Sequence, residues 1–273
     1  MKKGALLYTP DDAKKNRWFI DSFIKAGRDR DCGIILCLSP SEIPEDIDFA
    51  VNRSRSSLMT DILEERGIDV FNNSFVTEVT GDKWDTYCCL KSRVPMTDTV
   101  PASKTCPLDF PCIVKPRHGH GGQDIFLINN EKEYSRALDI ICSIEYTDFT
   151  GKILFEEAIV QPVLDTGKDL RVYVLGNRIL AAVLRTSDKD FRSNYSLGGH
   201  AEIVEPDKEI LDMSEKLCTL FDFDFAGIDF IFDGARPVLN EIEDAVGSRM
   251  LYSLMPDIDI PGMFIDHILS KIG

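Results

Sequence analysis

Three carboxylates near the end of the chain are spaced so that they could hold a divalent cation. They belong to the segment FAGIDFIFDGARPVLNEIED at residues 225–244, in which two apolar runs flank an Asp-Gly pair. If residues 233–237 form the connecting loop, Asp229 lies opposite Glu241 in an antiparallel hairpin, and Glu243 lies further along the same face. Like charges at this spacing repel each other unless a cation lies among them, and such oxygen ligands suit Mg²⁺ or Mn²⁺.

The sequence is also compatible with two alternatives to this metal site. A two-residue Asp-Gly turn at 233–234 would place Asp229 on the face opposite to Glu241. Pro237 favours the longer loop, because proline is tolerated at the first residue of a strand but not well inside it. The segment is also compatible with a solvated acidic strand face, since the intervening apolar residues only mark the other face as buried.

A lysine and a glycine-rich loop form a second candidate group. Lys115 ends an apolar run, and the sequence His-Gly-His-Gly-Gly-Gln follows at 118–123. A lysine at a strand end can contact phosphate oxygens while backbone N–H groups of such a loop cover them. The loop matches no standard phosphate-binding fingerprint, so an ordinary surface loop is the alternative. We expect His118 and His120 to be solvated, because no cysteine or third histidine is close enough in sequence to complete a metal site.

A third group is basic within an otherwise acidic chain. Residues 168–192 contain six basic and three acidic side chains. Arg185 and Arg192, separated by a short polar stretch, could stabilise a phosphoryl group in transfer or an acyl phosphate, because fixed guanidinium donors stabilise developing charge. A surface hairpin with ordinary ion pairs is the alternative.

The hydrophobic pattern predicts the elements that position these groups. Short apolar runs alternate with amphipathic helical segments up to about residue 75, which indicates a small parallel α/β domain. Asp82 is expected to cap the next helix, and a single strand is expected over residues 153–160. Gly176-Asn177 predicts a hairpin in a strand-rich third unit. We therefore expect three units, at residues 1–80, 81–160 and 161–273.

Composition restricts the class of protein further. The 273 residues include 46 acidic and 31 basic side chains, for a net charge of −15, which argues against a nucleic-acid partner. No apolar stretch approaches the roughly 18 residues of a membrane span, and the first apolar run is too short for a signal peptide. We expect a cytoplasmic protein without membrane partners, in which the eight cysteines are reduced and serve as small core residues.

Taken in order, these motifs resemble the ATP-grasp superfamily, and specifically its RimK-like branch of glutamate and amino-acid ligases. The resemblance is strong over residues 82–250 and looser before them. It is carried by KDLRVYVLGNR at 168–178, DFRSN at 190–194 with Gly198 and Gly199 beyond it, and FAGIDF at 225–230 followed by EIE at 241–243. It implies an α/β (α+β) ATP-grasp fold of three subdomains, with the nucleotide held between two of them.

The resemblance also implies roles for individual residues in ATP binding. Lys83 and Lys115 match the two lysines that hold the phosphates. The mobile glycine loop that closes over those phosphates is matched by Gly119, Gly121, Gly122 and Gln123. The hinge that pairs with adenine through its backbone is matched by Gln161, Pro162 and Val163, and Asp169 matches an acidic nucleotide contact just after it.

The remaining matches concern phosphate transfer and metal binding. Arg185 resembles the arginine that meets the reacting phosphoryl group. A nucleotide and phosphate-binding run is matched by Arg192, Ser193 and Asn194, and the metal positions by Asp229, Glu241 and Glu243. Two features depart from the branch. Glu243 replaces the usual asparagine, which should increase the need for two divalent ions or change the metal preference, and the segment between Gln161 and Asp169 is a little shorter than in the glutamate ligases.

From these features we expect an ATP-dependent ligase that joins a carboxylate to an amine through an acyl phosphate, with two Mg²⁺ ions, or Mn²⁺, as cofactors. The acceptor is a small molecule, a peptide or a protein, and the oligomeric state is open, with a homodimer as one option. Asn52, Arg53 and Arg55 are candidate acceptor contacts, although a surface role at a helix entry explains them equally well. The alternatives are a small-molecule kinase and a nucleotide sensor in which Glu243 has abolished turnover.

Overall fold

The protein is described by a computed structural model that covers residues 1–119, 121–187 and 199–273. The strands in these ranges form four sheets. Every helix in the same ranges is too short or too polar to cross a membrane.

The first sheet is parallel, as the alternating pattern predicted. It contains β1 (Lys2–Leu7), β2 (Cys32–Cys37), β3 (Phe49–Asn52) and β4 (Asp69–Phe71) in the order β2-β1-β3-β4. Helices α1 (Pro10–Lys15), α2 (Arg17–Arg28) and α3 (Ser57–Glu65) lie between the strands. Gly27 lies inside α2, one residue before its end, although a glycine at such a position often ends a helix. It allows close packing instead, because a Cβ atom there would lie 2.8 Å from the carbonyl oxygen of Cys32.

Two short helices connect this sheet to the next. They are α4 (Ser74–Gly81) and α5 (Lys83–Leu90). The prediction that Asp82 caps a helix is confirmed, because its Oδ1 accepts hydrogen bonds from the backbone N–H groups of Trp84 at 2.7 Å and Asp85 at 3.3 Å. The cap places Lys83 at the first position of α5.

The central part of the chain forms an antiparallel sheet and a separate hairpin. The sheet contains β5 (Val100–Pro101), β6 (Cys112–Pro116), β7 (Phe126–Ile128) and β10 (Ala158–Pro162) in the order β5-β10-β6-β7, and α6 (Glu131–Cys142) packs on it. The hairpin is formed by β8 (Glu145–Thr147) and β9 (Ile153–Phe155).

The expected single strand at 153–160 was therefore wrong. The chain leaves the hairpin after β9 and joins the central sheet only at Ala158. The side chain of Glu156, between the two strands, is buried and contacts His118. This long-range contact interrupts what looks like one continuous strand in the sequence.

The C-terminal sheet is antiparallel and carries most of the candidate residues. It contains β11 (Lys168–Leu175), β12 (Arg178–Thr186), β13 (His200–Val204), β14 (Phe225–Asp233) and β15 (Arg236–Glu243) in the order β13-β12-β11-β14-β15. The predicted turn at Gly176-Asn177 is confirmed between β11 and β12. One face of the sheet packs on α7 (Lys208–Phe221). Part of the other face packs with α2, α8 (Arg249–Leu254) and α9 (Ile260–Lys271).

The hairpin of β14 and β15 confirms one prediction and corrects another. Asp229 pairs with Glu241 as expected, but the turn is the two-residue Gly234-Ala235 rather than a loop over 233–237. The register shifts by one between Asp229 and Phe230, so Asn240 is the extra residue of a β-bulge. Pro237 lies inside β15, where it is tolerated because β15 is an edge strand of the sheet.

Candidate active site

Four basic and four acidic side chains meet beyond the apolar part of the C-terminal sheet, and we call them the charged cluster. They come from α5, β6, β11, β12 and the β14–β15 hairpin: Lys83, Lys115, Asp169, Arg171, Arg185, Asp229, Glu241 and Glu243. Antiparallel pairing places alternate residues of neighbouring strands on one face, so residues far apart in sequence meet there.

Two arginines in the cluster bind the buried Asp229. The Nε and Nη2 groups of Arg171 each donate to an oxygen of Asp229 at 2.6 Å, and its Nη1 lies 2.9 Å from Glu243. Arg185 donates to Asp229 at 2.9 Å and to Asp169 at 2.8 Å. Burial alone would raise the pKa of Asp229, but the two guanidinium groups outweigh it and lower the pKa to about 2. Asp229 is therefore ionised and held in place at neutral pH.

Two lysines approach the same hairpin from the central part of the chain. Lys115 is 3% exposed and its Nζ donates to Oδ1 of Asn240 at 3.2 Å. Burial lowers the pKa of Lys115 to about 8, although Glu241 opposes that shift. Lys83 Nζ lies 3.5 Å from Glu241 and donates to the carbonyl of Gly119. The bulge at Asn240 thus turns an amide toward Lys115, a contact that the sequence did not suggest.

The three predicted metal ligands lie on the hairpin but do not converge as expected. Within the ranges that the structure covers, no group of three or more His, Cys, Asp and Glu side chains is placed to hold a metal ion. Instead Asp229 and Glu243 contact Arg171, and Glu241 lies beside Lys83. The donor chemistry still fits, because all three offer carboxylate oxygens and two of them are register partners. Their role as metal ligands stays a prediction.

A small cavity of about 120 Å³ adjoins the cluster. The predicted hinge residues Gln161, Pro162 and Val163 line it together with Ile113, Lys115, Asp169, Ile231 and Asn240. The side chain of Gln161 is fixed by donating to Thr99 Oγ1 at 2.8 Å. The structure therefore brings together the predicted hinge, one of the two predicted phosphate-binding lysines and the acidic residue predicted to contact the nucleotide. The lining combines apolar side chains with polar and charged groups, as small-molecule sites do.

The predicted glycine loop starts beside Lys83. Gly121 and Gly122 have φ values of 71° and 75°, which glycine adopts without strain. Gly119 and Gln123 line a second, larger cavity. His120 and the predicted phosphate-binding residues Arg192, Ser193 and Asn194 lie outside the described residues.

His118 is not the solvated loop residue that we expected. Its Nδ1 lies 3.0 Å from Glu156 and its Nε2 lies 3.3 Å from Asp82, the cap of α5. Burial would lower the pKa of His118, but the two carboxylates outweigh it and raise the pKa to about 9. Arg117 adds a hydrogen bond to Asp82 at 2.8 Å. These contacts tie the start of the glycine loop to α5, and the sequence could not suggest them because the partners are remote.

We call the cavity that Gly119 and Gln123 line the large cavity; its volume is about 460 Å³. It lies between loops of the N-terminal sheet and the β8–β9 hairpin, and His118 and Gly119 also line it. Of the three candidate acceptor contacts, only Arg55 lines it. Asn52 and Arg53 are buried, and Arg53 donates to the carbonyls of residues 245 and 246, so these two have structural contacts instead.

Comparison with known proteins identifies the family. A model of the RimK-like ATP-grasp domain matches residues 89–268. The chain belongs to the RimK-like ATP-grasp family of carboxylate–amine ligases. It is 30% identical to an uncharacterized MG011 homologue of Mycoplasma pneumoniae, over 98% of this chain and 93% of that protein. It is 25% identical to the glutamate–LysW ligase ArgX of Sulfolobus acidocaldarius, over 81% of this chain and 80% of that protein.

Solved structures show the same fold. D-alanine–D-alanine ligase from Bacillus anthracis, complexed with ATP, matches 100% of this chain and 97% of that chain, with a TM-score of 0.76 and 15% identity. An ATP-grasp RimK domain protein from Sphaerobacter thermophilus has a TM-score of 0.67 and 15% identity, over 98% of this chain and 99% of that chain. The predicted ATP-grasp fold, the RimK-like branch and the C–N ligase class are confirmed. ATP-grasp ligases use ATP and magnesium, and the ligase PsnB has been solved with Mg and ADP.

Proposed function

We propose that this RimK-like protein joins the carboxylate of one substrate to the amine of another through an acyl phosphate, with the amine on a small molecule or a peptide. The observation that supports it best is the position of the charged cluster beside both cavities. Lys115 and Asp169 line the small cavity, whereas Gly119, whose carbonyl accepts from Lys83, lines the large cavity. A nucleotide in one cavity and a substrate in the other would meet at the cluster.

In this proposal the small cavity takes the nucleotide. The backbone of residues 161–163 pairs with adenine, and Asp169 contacts the nucleotide beside it. Lys83 and Lys115 hold the phosphates, and the glycine loop closes over them. Arg192, Ser193 and Asn194 contribute further phosphate contacts by resemblance alone. The proposed division of the chain into residues 1–80, 81–160 and 161–273 places the nucleotide between the second and third units, in the predicted cytoplasmic setting where ATP is available.

The charge of the cluster favours two metal ions. Its four basic and four acidic side chains balance each other before any ligand binds. Bound ATP adds several negative charges, so two divalent ions would restore the balance, with Mg²⁺ preferred and Mn²⁺ as the alternative. Asp229, Glu241 and Glu243 would hold them. The ions would offset the charge of the triphosphate when bound.

The protein's own residues then act by position and charge. An oxygen of the substrate carboxylate attacks the γ-phosphorus and ADP leaves. The neutral amine nitrogen then attacks the acyl carbon, phosphate leaves with the bridging oxygen, and the nitrogen releases a proton to solvent. Arg185 and Arg192 stabilise the charge that develops on the transferred group. No side-chain nucleophile is needed. The names of related proteins, glutamate–LysW ligase and D-alanine–D-alanine ligase, support an amino acid as one substrate.

Release of ADP and phosphate, measured against panels of carboxylic acids and amines, tests the proposal. We expect phosphate release that requires Mg²⁺, one acid and one amine together. ADP formation with a stable phosphorylated product and no free phosphate would indicate a small-molecule kinase. Tight ATP binding without turnover for any pair would indicate a nucleotide sensor. Either result would contradict the ligase assignment.

A further inference from the structure

Arg55 has a backbone conformation that is unusual for an arginine. Its φ angle is 60°, in the left-handed region that glycine adopts readily and side chains with a Cβ atom disfavour. The flanking residues hold the turn: Asn52 accepts hydrogen bonds from the N–H and hydroxyl of Ser54, and Ser56 caps α3. The backbone is therefore determined by its neighbours, and glycine would fit it better. An arginine at such a position suggests that its side chain has a use.

The guanidinium group of Arg55 is only partly engaged. Its Nη1 lies 2.9 Å from Oδ2 of Asp12, the buried carboxyl of Asp244 interacts with it electrostatically, and the side chain is 25% exposed. Its Nε and Nη2 have no hydrogen-bond partner in residues 1–119, 121–187 and 199–273. The residue lines the large cavity. A planar guanidinium with two open donors matches the geometry of a carboxylate.

Other charges in the large cavity are already engaged or exposed. Glu156 contacts His118, and Asp148 accepts hydrogen bonds from the backbone N–H groups of residues 150 and 152. Asp124 is exposed at the edge of the glycine loop. Arg55 is thus the cation with open donors in the described lining of the cavity. The same cavity is lined by Tyr146, Leu154 and Gly119, and the carbonyl of Gly119 accepts from Lys83.

We infer that Arg55 binds a free carboxylate of the substrate in the large cavity, and that this substrate is the size of an amino acid and carries this carboxylate besides its reacting group. A cavity of about 460 Å³ accommodates such a molecule. The inference rests on the proposed function, because it assigns the ligand of the cavity beside the proposed reaction centre. It makes Arg55 a residue that selects the substrate.

The test compares the binding of L- and D-amino acids with that of their primary amides, in which the carboxylate is removed. Calorimetric titrations use the full chain with ADP and Mg²⁺, as wild type, Arg55→Gln, Arg55→Gly and Arg66→Gln. Arg66 is an exposed arginine at the other end of α3 and serves as the control. Arg55→Gly suits the left-handed backbone, so this variant should fold at least as well as wild type.

We expect wild type and Arg66→Gln to bind at least one amino acid roughly 10- to 100-fold more tightly than its amide, the range for a charged hydrogen-bonded contact. Arg55→Gln and Arg55→Gly should bind the amino acid and its amide equally weakly. An unchanged preference in the Arg55 variants, or no binding of any amino acid to wild type, would overturn the inference.

Phosphate release separates this inference from the proposed function. If Arg55→Gln keeps the wild-type KM for the acid and the amine, Arg55 does not select the substrate, but the ligase assignment stands. If no acid and amine pair supports phosphate release by wild type, the ligase assignment fails, and the titrations still decide whether Arg55 binds a carboxylate.

Discussion

The charged cluster and the large cavity differ in how their charges are paired. In the cluster, Arg171 and Arg185 each contact two carboxylates, and Lys115 is almost fully buried against Asn240. In the large cavity, among the described residues, Arg55 pairs with Asp12 and interacts electrostatically with the buried Asp244, and two of its donor groups stay open. The proposed nucleotide end is therefore organised before a ligand binds, whereas the proposed substrate end is left to be completed by its ligand. Changes in the cluster should affect chemistry and stability, and changes in the cavity should affect substrate choice.

The largest expected effect on chemistry comes from Glu241→Gln. The change removes one charge from the predicted metal site while keeping the shape of the side chain, and Glu241 is partly exposed, so the fold should persist. We expect metal-dependent turnover to be abolished and ATP binding without Mg²⁺ to be retained. The measurement is phosphate release across a Mg²⁺ titration. Glu202→Gln, on the exposed side of β13, is the control, and normal turnover by Glu241→Gln would refute the metal assignment.

The largest expected effect on stability comes from Arg171→Met. This change removes a buried guanidinium that contacts both Asp229 and Glu243, although Arg185 still contacts Asp229. Removing one side of a buried pair costs about 3–5 kcal/mol. Urea denaturation measures the free energy of unfolding. Arg178→Met, at the exposed start of β12, should change it by less than about 0.5 kcal/mol. A similarly small loss in Arg171→Met would show that the cluster is not held by this pairing.

A smaller effect is expected in the pH dependence of ATP binding. Burial lowers the pKa of Lys115 to about 8, so the free protein loses this charge as the pH rises above that value. If the charged form binds phosphate, ATP affinity should fall roughly tenfold per pH unit above about 8. Lys115→Met should bind ATP weakly and lack this dependence. A Lys115→Met variant with the wild-type pH profile would show that another group causes it.

The smallest predicted effect concerns His118 and the start of the glycine loop. The folded-state pKa of about 9 lies above the ordinary value of 6.5, so the protonated ring stabilises the fold. That stabilisation is complete below pH 6.5 and is lost as the pH rises through about 9. Thermal unfolding across this range should show a downward slope that His118→Gln reduces. His200→Gln, an exposed change in β13, should keep the slope, and equal slopes in all three proteins would contradict the assignment.

Much of the fold was predictable where local signals decide it. The cap at Asp82 and the turn at Gly176-Asn177 depend on residues close in sequence, and both are present. The prediction of one strand over 153–160 was wrong because the segment is divided between two sheets. Glu156, between the two strands, contacts His118, which is remote in sequence and so gives no local signal. Short elements such as α1 and α4 were not predicted either, because six to eight residues give a weak periodic signal.

The candidate site was predictable only in part, for the same reason. The pairing of Asp229 with Glu241 was predicted from strand periodicity. The turn is shorter than expected, and the bulge at Asn240 shifts the register so that these two residues still pair. The contacts of Arg171 with two predicted metal ligands depend on the packing of three strands, which sequence spacing does not define. Motif residues therefore indicated the chemistry, and the tertiary structure decided how their charges are paired.

Formation of an acyl phosphate at the charged cluster can be detected by isotope transfer. The acid that supports phosphate release is labelled with ¹⁸O at both carboxylate oxygens and supplied with ATP, Mg²⁺ and the amine. Attack of the carboxylate on the γ-phosphorus and later loss of phosphate carry one labelled oxygen from the acid to each phosphate released. We predict phosphate with one ¹⁸O atom, detected by mass spectrometry. Release of unlabelled phosphate during amide formation would show that the amide forms without an acyl phosphate.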